Sequence, residues 1–266
     1  MTLSAKIFAH VGGDVITQYT LQNPAGMTIR FLTFGARVQQ VRLPSAGMDP
    51  NLLLGFITLQ DYLTQPGAFG ALVGPDCHHS NRAGWANWNW RATTAEGPGF
   101  DRLTLRLALG PDQDGAPGAR TITVVHTLSA DNLWTTTTTV ETTHPVPVSL
   151  AYQLAWQLTG DPAQTILAEA LTVEGVPHQL PTTATTLAAN RLTLADQHWA
   201  LTYSTDAPQL RLDPLATVGE ANNFNGILGQ PHVGLFIQPL PAGAEPLLVT
   251  PGAPLTVTTQ VRLTAK

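Results

Sequence analysis

Residues 120–143 read RTITVVHTL, SADN, LWTTTTTVETT: two strand-like runs, Arg120–Leu128 and Leu133–Thr143, on either side of a four-residue turn segment. The second run is β-branched almost throughout. Branching at Cβ restricts χ1 and favours a pleated, half-buried conformation over a helix. A threonine tract can also be low-complexity sequence, but Trp134 and Val140 flank this one with bulky apolar groups, and it reads as a strand. The segment is a hairpin.

The same pattern extends in both directions. Val15–Gln22 runs into the turn Asn23-Pro24-Ala25-Gly26 and returns as Met27–Phe34, a second hairpin. Arg37–Leu43 alternates and stops at Pro44. Further strands are expected at Val146–Leu158, Thr165–Val173, Leu192–Leu194, Trp199–Tyr203, Gln209–Leu212, His232–Gln238 and Pro254–Leu263. Helical turns are expected only at Thr58–Thr64 and Ala216–Asn225. The segments Gly97–Gly99 and Gly110–Gly118 are loops too short to be linkers, and strands never alternate with long helical patterns. The expectation is therefore an all-β fold, mostly antiparallel, as one domain over residues 1–266.

Composition narrows the partners. The 266 residues are 43% hydrophobic and 12% charged, with a net charge of −5 and no basic run, which argues against nucleic acid. No apolar stretch is long enough to span a bilayer, so no membrane partner is expected. Cys77 is the only cysteine, which excludes an internal disulfide and a cysteine-based zinc site. Met1–His10 lacks the charged start and apolar stretch of a secretory signal, so a cytoplasmic location is expected. The sequence is silent on oligomeric state. A small, neutral ligand fits these properties.

Several motifs sharpen that expectation. Asn51–Gly74 reads NLLLGFITLQDYLTQPGAFGALVG, with Leu54-Gly55-Phe56, Tyr62, Phe69-Gly70 and Gly74, and Asn81-Arg82 follows. Pro147–Leu158 (PVSLAYQLAWQL), Asp196–Leu201 (DQHWAL), Ser204–Leu212 (STDAPQLRL) and Thr250–Leu263 (TPGAPLTVTTQVRL) come later. In this order they resemble the signatures of the aldose 1-epimerases, in the galactose mutarotase superfamily, from about Val15 to Leu263. The resemblance implies a single-domain β-supersandwich (galactose mutarotase-like) that holds a free sugar on the concave face of a large sheet. No cofactor and no metal are expected.

Mutarotation opens a cyclic hemiacetal and closes it on the other face of C1, so one group must accept a proton while another donates one. The resemblance implies a histidine acid and a glutamate base, with an arginine and an aspartate holding the sugar. Arg82 stands at the arginine position and Asp196 at the aspartate position, although the Asp196 segment also reads as an ordinary turn before a strand. The acid and base positions hold Gln153 and Gln238, whose amides hydrogen-bond but do not exchange protons near neutral pH. The family's Leu-His-Gly-Gly motif is absent.

Between Gly74 and Asn81 the chain carries extra residues that bring Asp76, His78 and His79 next to Arg82. Imidazole titrates nearest physiological pH, which makes His78 and His79 candidates to replace the missing acid and base. Loop residues with solvent-facing rings are the competing reading. Asp76 joins Arg82, Asp196 and Trp156 as a candidate sugar contact. Asp76, His78 and His79 are also residue types that suit zinc, but adjacent histidines on a strand point to opposite faces. The alternating Trp85, Trp88 and Trp90 would share one strand face, either as a sugar platform or as packing between sheets. Two functions remain open: an isomerase with relocated acid–base groups, or a non-catalytic sugar binder of the same fold.

Overall fold

The structure is a computed structural model that describes residues 2–76, 84–243 and 246–266. Its architecture is the expected all-β one, and every ladder between named strands is antiparallel among the described residues.

The hairpin that decides the fold forms Arg120–Ser129 and Leu133–Thr142, with Leu128 opposite Trp134 and Ile122 opposite Val140. Asn132 closes its turn at φ +61°, a left-handed conformation that asparagine tolerates. Burial alternates along both strands. Thr136 and Thr138 therefore point into the core, while the Oγ1 atoms of Thr137 and Thr139 lie 3.4 and 3.3 Å from those of Thr258 and Thr256 on the next strand. The threonine tract thus serves both faces of one sheet.

That sheet has nine strands in the spatial order Val176–His178, Ala170–Val173, Arg191–Ala195, Trp199–Thr205, Leu255–Ala265, Leu133–Thr142, Arg120–Ser129, Phe100–Leu109 and Arg91–Gly97. A four-stranded sheet of Thr2–Val11, Asp14–Gln22, Thr28–Leu32 and Arg37–Arg42 packs against it. A second four-stranded sheet is ordered Ala155–Trp156, Leu235–Leu240, Gln209–Asp213 and Thr185–Leu187. The three sheets meet around Trp134. Its ring lies 6.1 Å from Phe31 of the N-terminal sheet and 6.5 Å from Trp156 of the third sheet. Full burial of each such side chain contributes about 1.5–3 kcal/mol. Among the described residues no helix is long and apolar enough to cross a membrane.

Four local expectations are corrected, the first being Thr165–Val173, where Ile166–Ala168 forms a 3₁₀ turn and the strand covers only Ala170–Val173. Val146–Leu158 is not one strand, because its backbone pairs with three partners in turn: Val146–Val148 with Leu247–Val249, Ala151–Tyr152 with Leu72–Val73, and Ala155–Trp156 with Leu235 and Phe236. Ala216–Asn225 holds no helix; Asn225 and Gly226, at φ +58° and +102°, turn the chain between the short strands Asn223–Phe224 and Ile227–Leu228. Trp85–Asn87 is a 3₁₀ turn, so the three indoles do not line one strand face. Trp90 is a core residue, and its Nε1 donates to the Trp85 carbonyl at 3.1 Å. The helix Leu59–Thr64 does form, capped by Thr58, whose Oγ1 accepts from the Asp61 amide at 3.1 Å.

A candidate sugar cleft around Gln153

The break between Ala151–Tyr152 and Ala155–Trp156 places Gln153 at the wall of a cleft of about 610 Å³. Its backbone is fixed from both sides: the Gln153 amide donates to the Ala71 carbonyl at 2.9 Å, and the Gly70 amide donates to the Gln153 carbonyl at 2.7 Å. Gly70 sits at φ +74°, and a Cβ there would overlap the Val38 carbonyl oxygen, so this approach requires glycine. The neighbouring Tyr152 hydroxyl donates to the Ala36 carbonyl and lies 3.3 Å from His126 Nε2. Burial pushes His126 down to about 3, leaving a neutral ring, and pushes the Tyr152 hydroxyl up, so both act as fixed hydrogen-bonding groups. Among the described residues the Gln153 carboxamide has no hydrogen-bond partner. It is a free donor and acceptor at the cleft.

The cleft walls come from distant segments. Phe69 and Phe236 line it, with ring centroids 6.0 Å apart. Behind them Phe69 packs edge-on to Phe56 and Phe224 at 5.9 and 5.2 Å. Asn222 lines the cleft and donates to the Pro66 carbonyl at 2.8 Å, while Gln65 Oε1 accepts from the Asn223 amide at 2.9 Å. These bonds clasp two loops into one wall. Trp85 lines the opposite side, held by its Nε1 donating to Asp114 Oδ2 at 2.9 Å. A cleft of this size, apolar with a few fixed polar groups, suits a ligand of sugar size.

Of the residues singled out in the sequence, Gln153, Asp76 and Trp85 line this cleft, with the motif residues Tyr62, Phe69 and Gly74. Asp76 is exposed and bridges to Ser149. His78, His79 and Arg82 lie outside the described residues. Gln238, paired with Arg211, stands on the strand face that carries Phe236 but two residues further on, outside the cleft lining. Asp196 does not line the cleft: its Oδ1 accepts from the amides of His198 and Trp199 at 2.9 and 2.6 Å and closes the turn between two strands. Trp156 does not line it either, since its side chain is fully buried against Trp134.

Arg37 and Tyr62 also line the cleft, and sequence reasoning gave neither a site role beyond the motif tyrosine. Burial lowers Arg37 to about 10 and raises Tyr62 to about 12, so at neutral pH the first is a cation and the second a neutral phenol. The Tyr62 hydroxyl accepts from the Phe56 amide at 3.1 Å. The available signal for Arg37 was an arginine placed directly after the Gly35-Ala36 turn, at the start of a strand that alternates toward the core.

Comparison with known proteins places this arrangement. The sequence profile of the family named Aldose 1-epimerase matches residues 17–89 and 75–211. The aldose 1-epimerase of Escherichia coli (strain K12) is 27% identical over 194 residues, 60% of this chain and 55% of that protein. That of Streptococcus thermophilus is 24% identical over 158 residues, 50% of this chain and 45% of that protein. The chain thus spans about half the length of these relatives. Among solved structures, a galactose 1-epimerase from Lactobacillus acidophilus NCFM superposes with a TM-score of 0.81 at 15% identity, covering 99% of both chains. An aldose epimerase homologue from C. elegans superposes with a TM-score of 0.76 at 16% identity, covering 92% of this chain and 98% of that one. The fold is shared with these structures, and the profile extends across most of the sequence: the chain belongs to the aldose 1-epimerase family.

Proposed function

We propose that the chain binds a free aldose in the cleft at Gln153 and interconverts its anomers. The observation that carries this reading is the Gln153 carboxamide, fixed through its backbone, without a partner among the described residues and lining an aromatic-walled cleft. Family membership supports the same class of ligand.

The reaction needs a base for the C1 hydroxyl proton and an acid for the ring oxygen. As the base takes the proton, the oxygen electron pair forms the C1 carbonyl, the bond from C1 to the ring oxygen breaks, and the ring oxygen takes a proton from the acid. Rotation about the bond from C1 to C2 and the reverse transfers close the other anomer. Among the described residues Asp76 is the only carboxylate lining the cleft, and it is the proposed base. His78 and His79, which follow it in sequence, are the proposed source of the acid. Gln153 orients the ring by hydrogen bonds and exchanges no proton.

A second reading, a non-catalytic sugar binder, draws on the same residue: an amide at Gln153 holds a hydroxyl without chemistry. Polarimetry on freshly dissolved α-glucose and α-galactose separates the two. Acceleration that falls by about 10²-fold or more in Asp76→Asn, or in His78→Ala/His79→Ala, supports the enzyme. Saturable sugar binding without acceleration selects the binder, and absence of both removes the sugar-site reading.

A further inference from the structure

Arg37 is only 2% exposed, yet it lines the cleft. Its Nη1 donates to the carbonyls of Phe34 and Ala86 at 3.1 and 2.8 Å. Its guanidinium carbon lies 4.8 Å from the Phe34 ring centroid and 5.0 Å from that of Tyr62. Gly35 makes room for it: at φ +71°, a Cβ there would sit 2.5 Å from both Arg37 Nη1 and the Ala86 carbonyl oxygen. The group is therefore held rigidly. What it lacks among the described residues is an anion.

Among the described residues no carboxylate pairs with Arg37, and its Nε is buried without an acceptor. Nη2 likewise has no acceptor among them, so one edge of the guanidinium is left over. Arg120, the other large buried arginine, contrasts with it: both Arg120 and its ion-pair partner Asp114 are fully buried. Burying a charge without a partner is costly, and two aromatic faces and two carbonyls offset that cost only in part. A neutral sugar would leave this charge without a counter-ion among the described residues. A carboxylate supplies the missing counter-charge and accepts a charge-assisted bond from the guanidinium.

We propose that Arg37 receives a carboxylate, so that the preferred ligand of the cleft is an acidic aldose, a hexuronate, over its neutral parent sugar. This rests on the sugar-site reading above and adds the class of sugar. One guanidinium balances one carboxylate. A phosphate dianion would leave a second negative charge without a cationic partner among the described lining residues.

Calorimetric titration of the protein with galacturonate, glucuronate, galactose, glucose and galactose 6-phosphate tests this. At least one uronate should bind about 10-fold or more tighter than its neutral parent and tighter than the phosphate ester. Arg37→Met should lose that preference, with circular dichroism to confirm the fold. The wild-type comparison stands by itself should the variant not fold. Equal affinity for uronate and neutral sugar overturns the role of Arg37 and leaves the sugar site intact. Tighter binding of the phosphate ester overturns the choice of carboxylate, and a preference retained in Arg37→Met overturns the residue assignment. Binding of none of these sugars overturns both this inference and the reading beneath it.

Discussion

The Trp85 indole, which lines the cleft, donates to Asp114 Oδ2 at 2.9 Å, and the same carboxylate forms a fully buried ion pair with Arg120. One loop residue thus connects a cleft wall to the central hairpin. Arg120 Nη1 also donates to the carbonyls of Pro117 and Gly118 at 2.8 and 2.6 Å, which folds the Gly110–Gly118 loop over the end of its strand.

Removing Asp114 leaves Arg120 buried without a counter-charge and the Trp85 indole without an acceptor. Asp114→Ala should cost about 3–5 kcal/mol, read as a lower midpoint in urea denaturation. The variant should also change Trp85 emission. A change under about 1 kcal/mol would show that the loop re-pairs Arg120 elsewhere.

Glu169 predicts the pH dependence of stability. It is 7% exposed; Oε1 accepts from the Leu158 amide at 3.0 Å, and Oε2 has no partner among the described residues. Burial, with a smaller contribution from Asp196, pushes it up to about 8 from 4.5. Between these values the folded chain keeps a proton that the unfolded chain has released, so this group lowers stability as pH rises through the window. Its penalty is absent below about pH 4.5, complete above about pH 8, and of the order of a few kcal/mol. Glu169→Gln keeps the acceptor for Leu158 without the charge. It should flatten the pH dependence in this window and exceed wild type in stability at pH 8.5, measured by urea denaturation at several pH values. An unchanged slope would contradict the assignment.

Gly70 couples the fold to the cleft through its bond to Gln153. Gly70→Ala introduces a Cβ against the Val38 carbonyl at a positive φ, so it should destabilise by more than about 1 kcal/mol. It should also weaken sugar binding by displacing Gln153, which Ala substitution at an exposed turn such as Gly12, with open space around its Cβ, should not do.

The fold was legible where one strand keeps one partner. Arg120–Thr143 alternates in sequence and in burial because neighbouring strands hold its edges and one face of its sheet packs on the core. Val146–Leu158 was not, because a run of similar β-formers can change partners without any change in composition, and those changes are what expose Gln153. The cleft lining was legible where a motif marked it, at Gln153, Tyr62 and Phe69, and at Asp76 through the extra residues between Gly74 and Asn81. Asp196 carried an ambiguous signal, since an aspartate before a strand is equally a turn former, and its Oδ1 closes that turn. Trp156 occupies a position where the third sheet meets the nine-stranded one, a contact between segments that no local pattern encodes. Arg37 escaped for a related reason. Its burial comes from Phe34, Tyr62 and Ala86, the last two 25 and 49 positions away along the chain.

The most direct test of the central claim is calorimetric titration of wild type and Gln153→Ala with the best-bound aldose. Saturable binding by wild type, weakened roughly 2- to 10-fold in the variant, is the predicted result, the range expected for one lost hydrogen bond. Equal affinity in the two proteins would contradict the account, because the sugar would then sit somewhere other than beside Gln153.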